Sequence, residues 1–385
     1  MKNIKRKICV ISSNRADYSH LYPLLFAIKK SNSLDLKLIV TGTHLMKKYG
    51  ETFKEFEDDG FKIDAKIKVA QNNSGSKAII KSMSIQMNSA HTVLSKLKPD
   101  IIVILGDRYD IYPIAICSNL LNIPIAHFHG GEVTMGAIDD NFRHSISKMS
   151  HLHFVADDVF KKRLIKMGEN PKNIYNVGSI GNLGINKKEL LNKKQINEYF
   201  EFTYENFILI SLHPETINEN NKTIIDNILK LTSSLKNVNV IFTSPNSDTG
   251  SDILIKKIKR YVSKNKDSRF IKSAGRNLYL SLLKNSYCII GNSSSCLIEA
   301  PYLNTPAILI GNRQLGRPIS SNIILSDYRF KSLRDAYLRI NSKPFIKNIQ
   351  KDIKYLPKNS LNNILNRFIK TDIRKILYKG FHDGD

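Results

Sequence analysis

Nine short runs of apolar, mostly β-branched residues recur along this chain, and they restrict its fold more than any other feature. They are "KICVIS" (7–12), "LKLIVT" (36–41), "IIVIL" (101–105), "IPIAHF" (123–128), "LHFVA" (152–156), "FILISL" (207–212), "VNVIFT" (238–243), "YCII" (287–290) and "PAILI" (306–310). The runs are continuous rather than alternating, which marks parallel strands buried on both faces. Segments between them, such as "YSHLYPLLFAIKKS", carry helical periodicity. The alternation predicts α/β architecture with doubly wound, Rossmann-like sheets. The pattern restarts after "NIYNVGSIGNLGINKKELLNKK" (173–194), so two domains are expected, 1–177 and 178–355. A chain of 385 residues suits two such domains of roughly 150–200 residues each. Beyond 355 the stretch "LNNILNRFIKTDIRKILY" reads as one helix with no strand after it. Two domains of this kind are expected to face each other across a cleft, with ligand at the carboxyl ends of the strands.

Composition removes several function classes. No apolar run approaches the roughly 20 residues that span a bilayer, so no membrane partner is expected. The start, "MKNIKRKICVISSNRADY", lacks a small-residue cleavage site and reads as a first strand rather than a signal peptide. The cysteines Cys9, Cys117, Cys288 and Cys296 show no metal-binding spacing, which fits a reduced cytoplasmic protein without structural zinc. A net charge of +25 raises the question of nucleic acid. The lysines are scattered along helical stretches among Asn and Ile, no aromatic-plus-basic stacking motif occurs, and Trp is absent. A solvated basic surface is therefore preferred, with no nucleic-acid partner. Such a field still attracts an anionic substrate.

Candidate chemistry lies where strands end. "GNSSSCLIEAP" (291–301) sets Ser293 and Ser294 at a strand-to-helix turn, where free backbone N–H groups favour an anion such as phosphate. A helix cap by Asn292 or Ser293 explains the same residues. Glu299 follows on the helix, able to accept bonds from ribose hydroxyls. His213 ends another strand in "SLHPET", and "GNRQLGR" offers Arg313 and Arg317, whose forks suit phosphate. Residues 127–154, "HFHGGEVTMGAIDDNFRHSISKMSHLHF", hold five histidines and three carboxylates. Asp139, Asp140, Arg143, His144 and Ser147 begin a helix there, with Arg143 four residues after Asp139 and so on its face. Asp107 from "GDRYD", His129, Glu132 and Asp139 are expected to converge on one wall, where crowded carboxylates suit acid/base work. His151 and His153 read as structural. No metal cage, GxSxG or serine-hydrolase order is present, and "GSIGNLG" does not match a dinucleotide fingerprint.

Taken together, these loops resemble the hydrolysing UDP-N-acetylglucosamine 2-epimerases of sialic-acid and related nonulosonic-acid pathways. The matching stretches are "NRADYS", "TGTHL" with "YGETFKEFEDDGF", "GDR", the 127–154 segment, "HPET", "NSDTG", "GNSSSCLIEAP" and "GNRQLGR", from residue 12 to 317. The resemblance implies a GT-B-like two-domain fold whose C-terminal helix (356–385) returns to the first domain. It implies no metal and no other cofactor. A base removes the C2 proton as UDP leaves C1, and water adds to the resulting 2-acetamidoglucal to give the manno sugar. Asp107 and Asp139 are implied as the acid/base groups, with Glu132, His129 and Arg143 beside them. His129 stands where some relatives have glutamate ("EGGE"), so either His129 or Glu132 takes that role. On the substrate side the resemblance implies Arg15, Asp17, Arg108, His213, Asn246, Asp248, Ser293, Ser294, Glu299 and Arg313. A homo-oligomer, dimer or tetramer, is expected. The second substrate to weigh is UDP-N,N'-diacetylbacillosamine, on the way to legionaminic acid. A GT-B glycosyltransferase is the other enzyme class to weigh.

Overall fold

The computed structural model describes residues 5–69, 75–135, 138–214, 221–245, 250–358 and 361–384. Internal contacts divide the chain into two compact units. The first is Met1–Glu132, Ile138–Gly184 and Leu356–Asp385; the second is Val133–Ala137 and Ile185–Tyr355.

Among the described residues the first unit is a parallel sheet of seven strands. They are β1 (Arg6–Ser12), β2 (Leu34–Val40), β3 (Ala65–Lys66), β4 (Ile101–Leu105), β5 (Ile125–Phe128), β6 (Leu152–Val155) and β7 (Ile174–Asn176), in the order β3-β2-β1-β4-β5-β6-β7. Because side chains alternate across a strand, each strand feeds two cores. Ile8, Val10, Val103, Phe128 and Phe154 join Leu21 and Leu25 of the Arg15–Lys30 helix on one face. Cys9, Ile11, Ile102, Ile104 and Ile125 join Ala90, Leu94 and Ile114 on the other. The sheet is thus covered on both faces, as the apolar runs require.

The second unit repeats the design with β8 (Phe207–Ser211), β9 (Asn239–Thr243), β10 (Ser268–Ile271), β11 (Ile289–Gly291), β12 (Ala307–Ile310) and β13 (Ile323–Ser326). The order is β10-β9-β8-β11-β12-β13, again all parallel. In both sheets the order reverses beside the first strand, between β1 and β4 and between β8 and β11. Loops leaving the sheet at such a switch point splay apart and leave a crevice for ligand.

The C-terminal segment returns to the first unit. Ile364, Leu365 and Phe368 of the Leu361–Lys370 helix enter its core, and the Phe368 ring meets Phe154 edge-on with 5.6 Å between centroids. The single helix expected here is two. It stops at Thr371, and Asp372 caps a short second helix, Ile373–Ile376, by accepting from Arg374 N and Lys375 N. An aspartate that binds the backbone ahead of it competes with the helix behind it. Among the described residues no helix is long and apolar enough to cross a membrane.

Candidate active site

In the first unit the groups with chemistry collect at the carboxyl ends of β1, β4 and β5. Asn14 caps the helix after β1, its side-chain oxygen accepting from Ala16 N and Asp17 N. Asp17 is buried and accepts from Ser13 N at 3.0 Å and Ser13 Oγ at 2.7 Å. Burial, with the Asp110 carboxylate nearby, pushes its pKa up to about 6. Arg15 is half-buried beside it. Arg108 pairs with Asp110, Nε to Oδ2 3.4 Å.

Arg143 is the hub. It lies in the Asp139–Met149 helix and is only 1% exposed. Its guanidinium bonds the carboxylates of Asp107 and Asp140 and donates to the Glu132 carbonyl at 3.0 Å. A planar fork spends its donors on several oxygens in fixed directions, so Arg143 ties the loop after β4 to the loop after β5. Glu132 is 2% exposed and its carboxylate meets His129 Nδ1 at 2.6 Å. His129 sits at φ 62° with its N–H bonded to Phe154 O. That backbone region costs a non-glycine residue about 1–2 kcal/mol, so packing and the Glu132 bond hold it there. The structure therefore brings Asp107, Glu132, His129, Arg143 and Asp140 together. Asp139 opens the same helix, half-buried.

His127 braces this group from below. Its Nε2 lies 2.7 Å from Gly106 O and its Nδ1 3.1 Å from Ser147 Oγ. A carbonyl only accepts, so Nε2 carries the proton and Nδ1 accepts from the serine. Burial pushes its pKa down to about 3, which keeps the ring neutral in that role. Gly130 is needed here, since a Cβ would fall 2.9 Å from both His127 Nδ1 and Ser147 Oγ. His153 in β6 bonds Glu169 at 2.8 Å and His151 lies just before that strand.

Three buried neutral histidines set a pH expectation. Burial holds His44 and His127 down to about 3 and His151 to about 4, from an ordinary 6.5. Unfolded, they take up protons once the pH falls below 6.5, so the fold loses stability on that side, by about 1.4 kcal/mol per histidine per pH unit. Asp17 acts oppositely: its raised pKa favours the fold at low pH, and that contribution is lost as pH rises through about 6. Three groups outweigh one. The melting temperature should fall steadily from pH 6.5 to 4.5, and a flat profile by calorimetry would contradict the neutral assignments.

In the second unit the switch point is bridged by one side chain. Asn292, fully buried after β11, accepts from His213 N at 2.7 Å and donates to His213 O at 2.8 Å, joining the ends of β8 and β11. Gln314 Nε2 adds a bond to Asn292 O at 3.0 Å. Ser293 caps the next turn, accepting from Ser295 N at 3.3 Å. The helix expected at the serines is instead a 3₁₀ turn, Ser294–Cys296, followed by a short helix, Glu299–Tyr302. Pro301 cannot donate a backbone N–H, so it suits the first turn of a helix that starts at Glu299. Glu299 is 7% exposed, while Ser294 and Arg313 are half-buried. Arg317 does not match the phosphate expectation. Its Nε donates to Val133 O at 2.7 Å and its Nη2 to Thr134 Oγ1, so it fastens the 133–135 stretch. Asn246 and Asp248 lie outside the described residues.

A family model described as UDP-N-acetylglucosamine 2-epimerase matches residues 26–367. The chain belongs to the UDP-N-acetylglucosamine 2-epimerase family. This is the family that the loop motifs resemble, and membership makes the chain an enzyme acting on a nucleotide sugar. It is 41% identical over 347 residues to a GDP/UDP-N,N'-diacetylbacillosamine 2-epimerase (hydrolyzing) from Campylobacter jejuni, covering 89% of this chain and 90% of that one. It is 35% identical to the polysialic acid biosynthesis protein P7 of Escherichia coli, covering 98% and 97%. Among solved structures, the UDP-GlcNAc 2-epimerase of Neisseria meningitidis bound to UDP-GlcNAc aligns with TM-score 0.79 at 18% identity, over 95% of this chain and 100% of that one. The fold is the GT-B-like one of these epimerases.

Some site-building residues had no signal in the sequence. Tyr279 is half-buried with its hydroxyl near Ser295 and Ser211, and desolvation followed by the Glu299 charge raises its pKa. It lies within a helix of mixed composition and no motif points to it. Asn292 reads from the sequence only as a cap, although its bridging role follows from the strand order. Among the described residues no group of three or more His, Cys, Asp or Glu is placed to hold a metal ion.

Proposed function

We propose that this enzyme is a hydrolysing 2-epimerase of UDP-N-acetylglucosamine, releasing UDP and N-acetylmannosamine for nonulosonic (sialic) acid synthesis. The observation that carries the reading is near full-length likeness, at 35–41% identity, to a hydrolysing 2-epimerase and a polysialic acid biosynthesis protein. In this reading Asp107 and Asp139 move protons at the sugar, Arg143 orients Asp107, and His129 with Glu132 forms the adjoining acid/base pair. One group takes the C2 proton as the C1–O bond to UDP breaks, giving the 2-acetamidoglucal. Water then adds its oxygen at C1 while a proton returns to C2 from the opposite face. Arg15, Asp17 and Arg108 are read as further substrate-binding residues. His213, Ser293, Ser294 and Arg313 stabilise the departing diphosphate, and Glu299 takes the ribose hydroxyls. Charge that develops on a leaving phosphate is best met by donors already fixed in place. Asn246 and Asp248 belong to the same UDP side. The enzyme is read as cytoplasmic and homo-oligomeric, with its four described cysteines reduced.

A second reading has specific support, because the 41%-identical relative and a 34%-identical one from Legionella pneumophila are named for N,N'-diacetylbacillosamine. That sugar differs at C4 and C6 and leads to legionaminic acid. The deciding experiment offers each nucleotide sugar separately, with UDP and GDP carriers, and measures free nucleotide and released sugar. Release from UDP-N-acetylglucosamine supports the first reading. Release only from the 4-acetamido-6-deoxy analogue supports the second, and release from none defeats both.

Ser294→Ala and Arg313→Ala should each weaken UDP binding. Each removes a donor to a charged oxygen, a bond worth about 1.5–3 kcal/mol, or roughly 10- to 100-fold in Kd. Unchanged affinity in both folded variants, by titration calorimetry, would reduce the serine turn to a cap.

A further inference from the structure

The Asp139–Met149 helix is gripped at its far end by a residue from the chain terminus. The Lys379 ammonium donates to Lys148 O at 2.7 Å and Ser150 O at 2.6 Å, approaches Ser147 O at 3.4 Å, and pairs with Glu169 Oε2 at 2.7 Å. The last carbonyls of a helix have no partner within it and carry partial negative charge, so a cation there is both a cap and a countercharge. The grip is anchored. Glu169 is fixed by His153 of β6 and by Lys148, and His382 N bonds Gly168 O at 3.0 Å.

What this end of the helix controls is local and direct. Ser147, whose carbonyl faces Lys379, offers its hydroxyl to His127, which holds Gly106 next to Asp107. One turn earlier the same helix carries Arg143, the partner of Asp107. A shift of the helix along its axis therefore moves both the guanidinium and the brace of the loop that bears the carboxylate. A rise of about 1.5 Å per residue puts Arg143 only about 6 Å from Ser147, with no joint between them.

We propose that Lys379 is a positioning residue for the reaction, setting the axial place of the Asp139–Met149 helix and so the Arg143–Asp107 geometry. The inference rests on the reading above in which Asp107 handles a proton. Misplacement by a fraction of an ångström in such a pair lowers the rate of the chemical step and leaves substrate affinity alone.

The test uses the full chain and compares Lys379→Met, Lys379→Arg and Asp107→Asn with the parent. Lys379→Met keeps the aliphatic stem and removes the donors. It is expected to lower kcat about tenfold with KM within twofold, while Lys379→Arg recovers most of the loss. A Lys379→Met enzyme with kcat within twofold of the parent, beside an Asp107→Asn enzyme that is at least 100-fold slower, overturns the latch and leaves the catalytic reading standing. Full activity in Asp107→Asn overturns both. If Lys379→Met does not fold, Lys379→Gln, which keeps one amide donor, takes its place: an intermediate kcat supports the proposal and a parental one overturns it.

Discussion

Asp107→Asn is expected to slow turnover by about 10²-fold or more and to leave UDP affinity unchanged. The substitution keeps the size and the hydrogen-bonding shape of the side chain and removes its charge and basicity. Arg143 still has Asp140 and the Glu132 carbonyl, so the loop after β5 stays tied. A lost general acid or base costs typically 10²- to 10⁴-fold, the lower figure being about 2.7 kcal/mol of activation free energy. Asp139→Asn should behave alike if the two carboxylates share the proton work. The measurement is steady-state UDP release together with UDP titration. Normal turnover in both variants would show that the Arg143 cluster is architectural.

Gly291→Ala should have the largest effect on folding. Gly291 ends β11 at φ 157°, and a Cβ there would run into the carbonyl of Ser211 at the end of β8. Neither atom is the flexible end of a side chain, so the two central strands of the second sheet would have to part. Their separation would also pull apart the Asn292–His213 bridge just beyond. Overpacking against backbone belongs with the changes that exceed about 4 kcal/mol. Gly50→Ala is the control: φ is 91° but nothing lies within 4 Å, so only the backbone term of about 1 kcal/mol remains. Thermal unfolding of the two variants separates collision from strain. A Gly291→Ala protein as stable as Gly50→Ala would contradict the close approach of β8 and β11.

The strands that no continuous apolar run announced are the four at the sheet edges, β3, β7, β10 and β13. An edge strand has one neighbour and keeps part of its surface in water, so its sequence need not be apolar throughout. "SRFI" in β10 and "IYN" in β7 are both mostly half-buried. The nine inner strands, covered on both faces, carry the runs that were legible. The site divides in the same way. Asp107, Glu132, His129 and Arg143 were legible because they stand in a short segment with unusual chemistry next to strand ends. Their mutual arrangement was not, since helical spacing alone does not foretell that Arg143 reaches Asp107 and a backbone carbonyl on other loops as well as Asp140. Those contacts depend on the distance between two loops, which no local pattern encodes. Tyr279 and Lys379 were invisible for a related reason: each comes to its place from a distant segment, through packing rather than through a motif.

Turnover in D₂O tests the central claim most directly. Elimination through the glycal removes the original C2 hydrogen to an enzyme group and replaces it from solvent. The released sugar, examined by NMR and mass spectrometry, should carry one deuterium at C2 in the manno configuration, together with a stoichiometric amount of UDP. A product that keeps its original C2 hydrogen would contradict elimination and, with it, the acid/base roles given to Asp107 and Asp139.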